Sequence, residues 1–135
     1  MKSVPKEKYI IFQGLWSDLR KYIFIIYTTK DMETVRFCIC LHLTDSLSIY
    51  RRLEEIYNEF KESKIYKKHE RNIHIYPYLR YFGHEEFDEL IGIEMYGKIE
   101  DMYEFIEELI EEKVLKINNK TRDDIEKFLA GLLVY

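Results

Sequence analysis

The sequence predicts an α+β fold: an antiparallel sheet from two strand-strand-helix (ββα) units with helices on one face, plus an N-terminal strand and a C-terminal helix, in a single domain over residues 1–135. Three patterns carry this. From Val35 to Leu43 the side chains alternate between an apolar and a more polar face, as a half-buried strand requires. Three later stretches place apolar residues at the three-to-four spacing of an amphipathic helix. The succession strand, strand, helix occurs twice in type. Phe37 to Leu43 leads into Tyr50 to Ile56, and Leu90 to Tyr96 leads into Tyr103 to Leu109.

Taken in order, Lys8 to Phe12 is a short β-like run closed by Gln13-Gly14. Tyr22 to Thr29 is rich in β-formers, and a turn at Lys30-Asp31-Met32 joins it to Val35 to Leu43 as a hairpin. In the second arm Val35, Phe37, Ile39, Leu41 and Leu43 share one face, while Arg36, Cys38, Cys40 and His42 share the other. Thr44 or Asp45 can cap the helix that follows, whose stripe runs through Leu47, Leu53, Ile56 and Phe60. Residues 61–71 read as a polar, basic connector. A second hairpin is expected from Ile73 to Phe82 and Leu90 to Tyr96, joined through Gly83 and acidic residues. A helix from about Ile99 to Val114 buries Ile99, Met102, Ile106, Leu109 and Ile110. In the last helix Thr121 and Asp124 resemble a capping box, Ile125, Phe128, Leu129 and Leu132 form the stripe, and Gly131 allows close helix packing. Joined edge to edge with both helices on one side, the two hairpins share one core, in an order permuted from the ferredoxin-like one.

Composition fits this architecture. With 135 residues, 47% of them hydrophobic and 34% charged, the chain buries roughly two-thirds of its unfolded-state surface and needs no disulfide or metal staple. The two cysteines, Cys38 and Cys40, stand one residue apart on a strand, a poor geometry for pairing with each other. No apolar run reaches the ~18 residues of a membrane span, and Met1 to Lys8 is a charged stub without a signal-peptide core. A cytoplasmic protein with no membrane partner and no cofactor is expected. Heavy use of Ile, Lys, Glu and Tyr beside a single Gln and a single Ala points to a heat-adapted or AT-rich source.

The net charge of −4 conceals a segregation. Residues 61–84 carry six basic against two acidic side chains, and residues 85–112 carry twelve acids against Lys98 alone. The second of these gives the helix an acidic face of Glu100, Asp101, Glu104, Glu107, Glu108, Glu111 and Glu112, suited to a basic protein surface or a second copy. The candidate binding surface is the sheet face away from the helices, with Arg36 and His42, then His74, Tyr76, Tyr78 and Arg80, then Glu94 and Tyr96. It is too polar for a core and too aromatic for ordinary solvated surface. The basic segment Lys64, Lys67, Lys68 and Arg71, interleaved with Tyr66, Tyr76 and Tyr78, has the composition of a single-strand nucleic-acid binder, with cations for phosphates and rings for bases. Cys38, Cys40 and His42 share a strand face, but their spacing departs from zinc knuckles, so no metal site is expected.

Two short resemblances complete the reading. Leu41-His42-Leu43-Thr44 resembles one His-x-Thr motif of the two-histidine phosphoesterases, and His74-Ile75-Tyr76 is the candidate for the second, with Tyr in place of Thr or Ser and the two histidines much closer in sequence than that fold's repeats place them. That resemblance implies paired imidazoles acting as acid and base at His42 and His74. Phe128 to Leu133 resembles the opening of the LAGLIDADG homing-endonuclease motif but lacks the acidic residue that should follow. The expectation is therefore a non-catalytic binding or assembly module, homodimeric or bound to a protein partner. RNA or single-stranded DNA binding is the alternative, and a small phosphoesterase the second alternative.

Overall fold

The computed structural model describes residues 8–29, 31–44, 46–84 and 87–134. The elements run β1 (Tyr9–Leu15), β2 (Lys21–Thr28), β3 (Thr34–His42), α1 (Ser48–Lys61), α2 (Lys64–His69), β4 (His74–Ile75), β5 (Arg80–His84), β6 (Phe87–Lys98), α3 (Ile99–Glu111) and α4 (Asn119–Leu133). The strands form one open antiparallel sheet in the order β1-β2-β3-β6-β4, with β5 also paired to β6. The long β6 is therefore central: β3 pairs with it along one edge, and β4 and β5 share the other.

Alternation in β3 sorts the two faces as its sequence predicts. Val35, Phe37 and Ile39 join Phe24, Ile26, Ile93 and Met95 in the main core, where Leu53, Ile56 and Phe60 of α1 and Met102, Phe105, Ile106 and Leu109 of α3 meet them. Ile125, Leu129 and Leu132 of α4 belong to the same cluster. Phe12, Phe24 and Phe37 stack across three strands at 5.3 and 5.8 Å, and Trp16 and Phe60 meet edge to face at 5.4 Å. Each such buried ring contributes about 2 kcal/mol through removal from water. No helix among the described residues is long and apolar enough to cross a membrane.

Several local expectations are corrected. The connector at 61–71 contains α2, capped by Ser63, whose Oγ accepts the Tyr66 N–H at 3.2 Å. Buried Tyr66 packs on Phe60 and donates its hydroxyl to the Ile73 carbonyl. The expected arm from Ile73 to Phe82 is two strands, because Pro77 has no N–H to give the ladder and the chain leaves β6 over residues 77–79, after the Tyr76 N–H has bonded to the Glu94 carbonyl. α3 stops at Glu111, and Lys113 adopts a left-handed φ of 60° in the turn beyond it. The N-cap of α4 is Asn118 rather than Thr121; its Oδ1 accepts the Thr121 N–H at 2.7 Å. For α1 the N-cap position is Leu47 with no side-chain cap, while Asp45 and Lys30 lie outside the described residues. A Cβ at Gly131 would meet nothing within 4 Å, so this glycine serves no close helix contact.

Candidate functional site

Strand register lays out the face away from the helices in rows. Tyr27, Arg36, Tyr96 and His74 stand opposite one another on β2, β3, β6 and β4. The next row holds Ile25, Cys38 and Glu94, the next Ile23, Cys40, Gly92 and Arg80, and the last His42, Leu90 and Phe82. The expectation of an open polar face is corrected at its centre. Cys38, Cys40, Leu90 and Glu94 are fully buried, and Ile25 with the partly buried Ile23, Tyr27 and Phe82 makes a second, smaller apolar cluster. Gly92 makes room for this, since a Cβ there would lie 2.6 Å from the Cys40 Sγ.

A carboxylate with no exposure needs partners, and Glu94 has them on every side. Arg36 Nη1 donates to Oε1 at 2.5 Å, the Tyr27 hydroxyl donates to Oε2 at 2.6 Å, and the Cys38 thiol donates at 3.7 Å. Arg80 Nε stands 4.0 Å from Oε2. Two guanidiniums thus share one carboxylate, leaving a net positive charge on the outer side of the cluster. Burial works against the charge of Arg36, but the hydrogen bond and charge of Glu94 outweigh it and raise the guanidinium pKa. Burial first, and the neighbouring anionic groups second, push the Cys38 and Cys40 thiols well up, so both stay protonated and unreactive at neutral pH. The same causes raise the Tyr27 hydroxyl and keep it a donor.

Aromatic rings flank the guanidiniums. Arg36 lies over Tyr96 at 5.5 Å, Arg80 over Tyr76 at 4.5 Å, and His74 meets Tyr96 at 5.4 Å. Of the residues expected on this face, Arg36, His74, Tyr76, Arg80, Glu94 and Tyr96 come together. His42 does not, because it pairs with Leu90 while His74 pairs with Tyr96, six residues further along β6. At a strand rise near 3.3 Å per residue the two histidines are roughly 20 Å apart and share no cleft. Among the described residues no group of three or more His, Cys, Asp and Glu is placed to hold a metal ion.

Tyr78, 75% exposed, belongs instead to a cleft of about 310 Å³ opened where the chain leaves β6 at Pro77. One wall is Tyr76 to Leu79, the other is Glu54, Tyr57 and Asn58 of α1, and Ile93 lies between them. Tyr27, Glu54, Tyr57 and Asn58 had no part in the sequence-derived site. The uniformly apolar run around Tyr27 hides which of its side chains face which way, whereas the spacing of Glu54 and Asn58 by four residues on one helical face was readable.

The basic segment and the acidic face meet each other within the chain. Lys64, Lys67 and Lys68 are exposed on α2 with Arg71 just beyond, and the Ile65 and Tyr66 side chains of that helix pack into the core on the helix side of the sheet. These cations therefore do not extend the Arg36 and Arg80 face, as a single basic aromatic surface would require. Lys68 and His69 reach Glu108 at 2.9 and 2.5 Å, Lys67 pairs with Glu62, and Arg122 of α4 bridges Glu107 and Glu111 at 3.4 and 3.0 Å. Glu100 and Glu104 remain exposed and Asp101 is half-buried. Hydrogen bonds from Lys68 and then His69 hold the Glu108 carboxyl below its ordinary range. A carboxylate depressed in the folded state adds stability above its unfolded pKa and loses it as pH falls through the folded one. Glu108→Gln is expected to cost about 0.5 kcal/mol at neutral pH, given solvent screening of this partly exposed cluster, in urea unfolding. The gap should close below roughly pH 4; a gap that widens on acidification contradicts the assignment. No protein-family model, curated protein or solved structure matches this chain.

Proposed function

We propose that the chain is a non-catalytic binding and assembly module that works as a homodimer through the sheet face away from its helices. The observation that carries this is the Arg36-Glu94-Arg80 cluster: a fully buried carboxylate under two guanidiniums whose side chains keep 26% and 37% exposure, ringed by Tyr96, Tyr76 and His74. Tyrosine and arginine anchored beside a small apolar patch are the composition of an interface centre. Ile11, 38% exposed on edge strand β1, pairs with Ile25 in the same row and extends the patch outward. The fold behind this reading is a pair of ββα units, β2-β3-α1 and β5-β6-α3, in an order permuted from the ferredoxin-like one. The run β2-β3-β6-β5 across the sheet supports it.

Sedimentation velocity across a wide concentration range tests the assembly. The parent should run at twice 16.6 kDa at high concentration, and Ile11→Lys, at a partly exposed position on the edge strand, should return it to the monomer. A 16.6 kDa species that persists at every concentration overturns the homodimer. A second reading, single-stranded nucleic acid at the β4 and β5 edge, is favoured by Arg80 stacked on Tyr76 beside the exposed Tyr78.

A further inference from the structure

We infer that the cleft between α1 and residues 76–79 binds an organic cation, an ammonium head on a short apolar stem. The site is separate from the sheet face of the readings above and takes no charge from Arg36 or Arg80. Glu54 is the one charged residue that lines the cleft, and among the described residues its carboxylate enters no hydrogen bond or ion pair. Tyr57 comes from the same helix, Tyr76 and Tyr78 come from the opposite wall, and the face of a phenol ring carries the negative end of its quadrupole. The lining therefore attracts a cation and repels an anion.

Two of these rings already hold cations of the chain itself. The Lys61 ammonium lies 5.6 Å from the Tyr57 centroid and the Arg80 guanidinium 4.5 Å from that of Tyr76, although neither cation lines the cleft. Tyr78 is the third ring, 75% exposed, and it has no aromatic or cationic partner among the described residues. A ring in water and a carboxylate without a counter-ion, on facing walls of one cleft, are the two elements that recognition of an ammonium group combines. Size limits the rest of the ligand. About 310 Å³ is at the lower end of the ~300–1,000 Å³ range of ligand sites, and Pro77, Leu79 and Ile93 supply apolar contact for methyl or methylene groups. Lys61 gives the sign of the interaction a handle, since its charge, seven residues and about 10 Å beyond Glu54 along α1, opposes a bound cation and would assist a bound anion.

The same chemistry is presented by a free quaternary amine and by a lysine side chain of a partner protein. The test is titration of the full chain, followed by amide chemical shifts, with choline, with its uncharged carbon isostere dimethylbutanol, with the blocked amino acid Nα-acetyl-lysine methylamide, and with AMP as an anion. Both cations should shift residues 54–58 and 76–79 saturably, and choline should bind at least about threefold tighter than the alcohol. Glu54→Gln and Tyr78→Ala, both at exposed positions, should each weaken choline about threefold. Lys61→Gln should strengthen it about twofold. Tighter binding of choline identifies a free quaternary amine as the ligand, and tighter binding of the lysine derivative identifies a protein side chain. The alcohol binding as tightly as choline, AMP displacing choline, or Lys61→Gln weakening it overturns the cation. Absence of saturable shifts with either cation overturns the site.

Discussion

Gly92→Ala should destabilise the protein by about 3 kcal/mol, near the upper end of the usual cost of overpacking, with Gly92→Val costing at least as much. Gly92 sits opposite Cys40 where the two central strands, β3 and β6, pair. A Cβ there would stand 2.4 Å from the Ile39 carbonyl oxygen, 2.6 Å from the Cys40 Sγ and 3.0 Å from the Cys40 Cα. Two of those three atoms are backbone, so relief cannot come from a rotamer change alone; the strands must separate or the ladder must lose bonds. The second apolar cluster is built on this approach, and Cys40, Leu90 and the neighbouring Glu94 would gain access to water with it. Gly131→Ala is the matched control. A Cβ there meets nothing, and replacing a helical glycine should raise stability by about 0.5 kcal/mol near the frayed end of α4. Urea unfolding of both variants checks the pair: a Gly92→Ala midpoint equal to the parent's would mean that the strands approach less closely than this.

The contrast between the two glycines shows where sequence reasoning carries and where it stops. Alternation in β3 is legible because one face is apolar at every second residue, and it assigns Val35, Phe37 and Ile39 to the helix side correctly. β2 offers no such contrast. In Tyr22 to Thr29 nearly every side chain is apolar, so nothing local marks Tyr27 as the donor to Glu94, a contact that spans 67 residues and exists only through the β2-β3-β6 register. The same holds for Glu94, which lies on the expected face but is wholly buried there, because its partners arrive from three other strands. α2 escapes detection because six residues with only Ile65 and Tyr66 apolar cannot display a helical period. The split of β4 from β5 was signalled by Pro77, a residue that demotes any central strand. The segregation of charge along the chain is legible in the sequence, but where the charges meet in space is not. The acidic and basic stretches meet in cis where Lys68 pairs with Glu108 and His69 hydrogen-bonds to the same carboxylate.

Glu94→Ala should cost about 3 kcal/mol, the low end for breaking a buried pair because Arg36 keeps partial exposure. That corresponds to a fall in Tm of roughly 10 °C for a chain of this size. Most of the loss is the penalty of what remains: the Arg36 guanidinium without its carboxylate, the Tyr27 hydroxyl without its acceptor, and the Cys38 thiol without its own. A double variant separates the cluster's contribution to stability from its contribution to assembly. Arg36→Met with Glu94→Leu removes the ion pair and fills the site with apolar atoms but leaves the Tyr27 hydroxyl without its acceptor, so part of the stability should return, to within about 2 kcal/mol of the parent. If the cluster existed only to hold the sheet together, this variant would also assemble like the parent. If the two arginines are there to meet a partner, with Glu94 holding them at a spacing that their mutual repulsion opposes, the double variant should fold normally and stay monomeric in sedimentation. Recovery of both stability and assembly would assign the cluster to the fold alone. Recovery of stability without assembly would separate the two roles, because a stable fold with an uncharged, apolar patch in the same place presents the area of the interface without the chemistry that selects its partner.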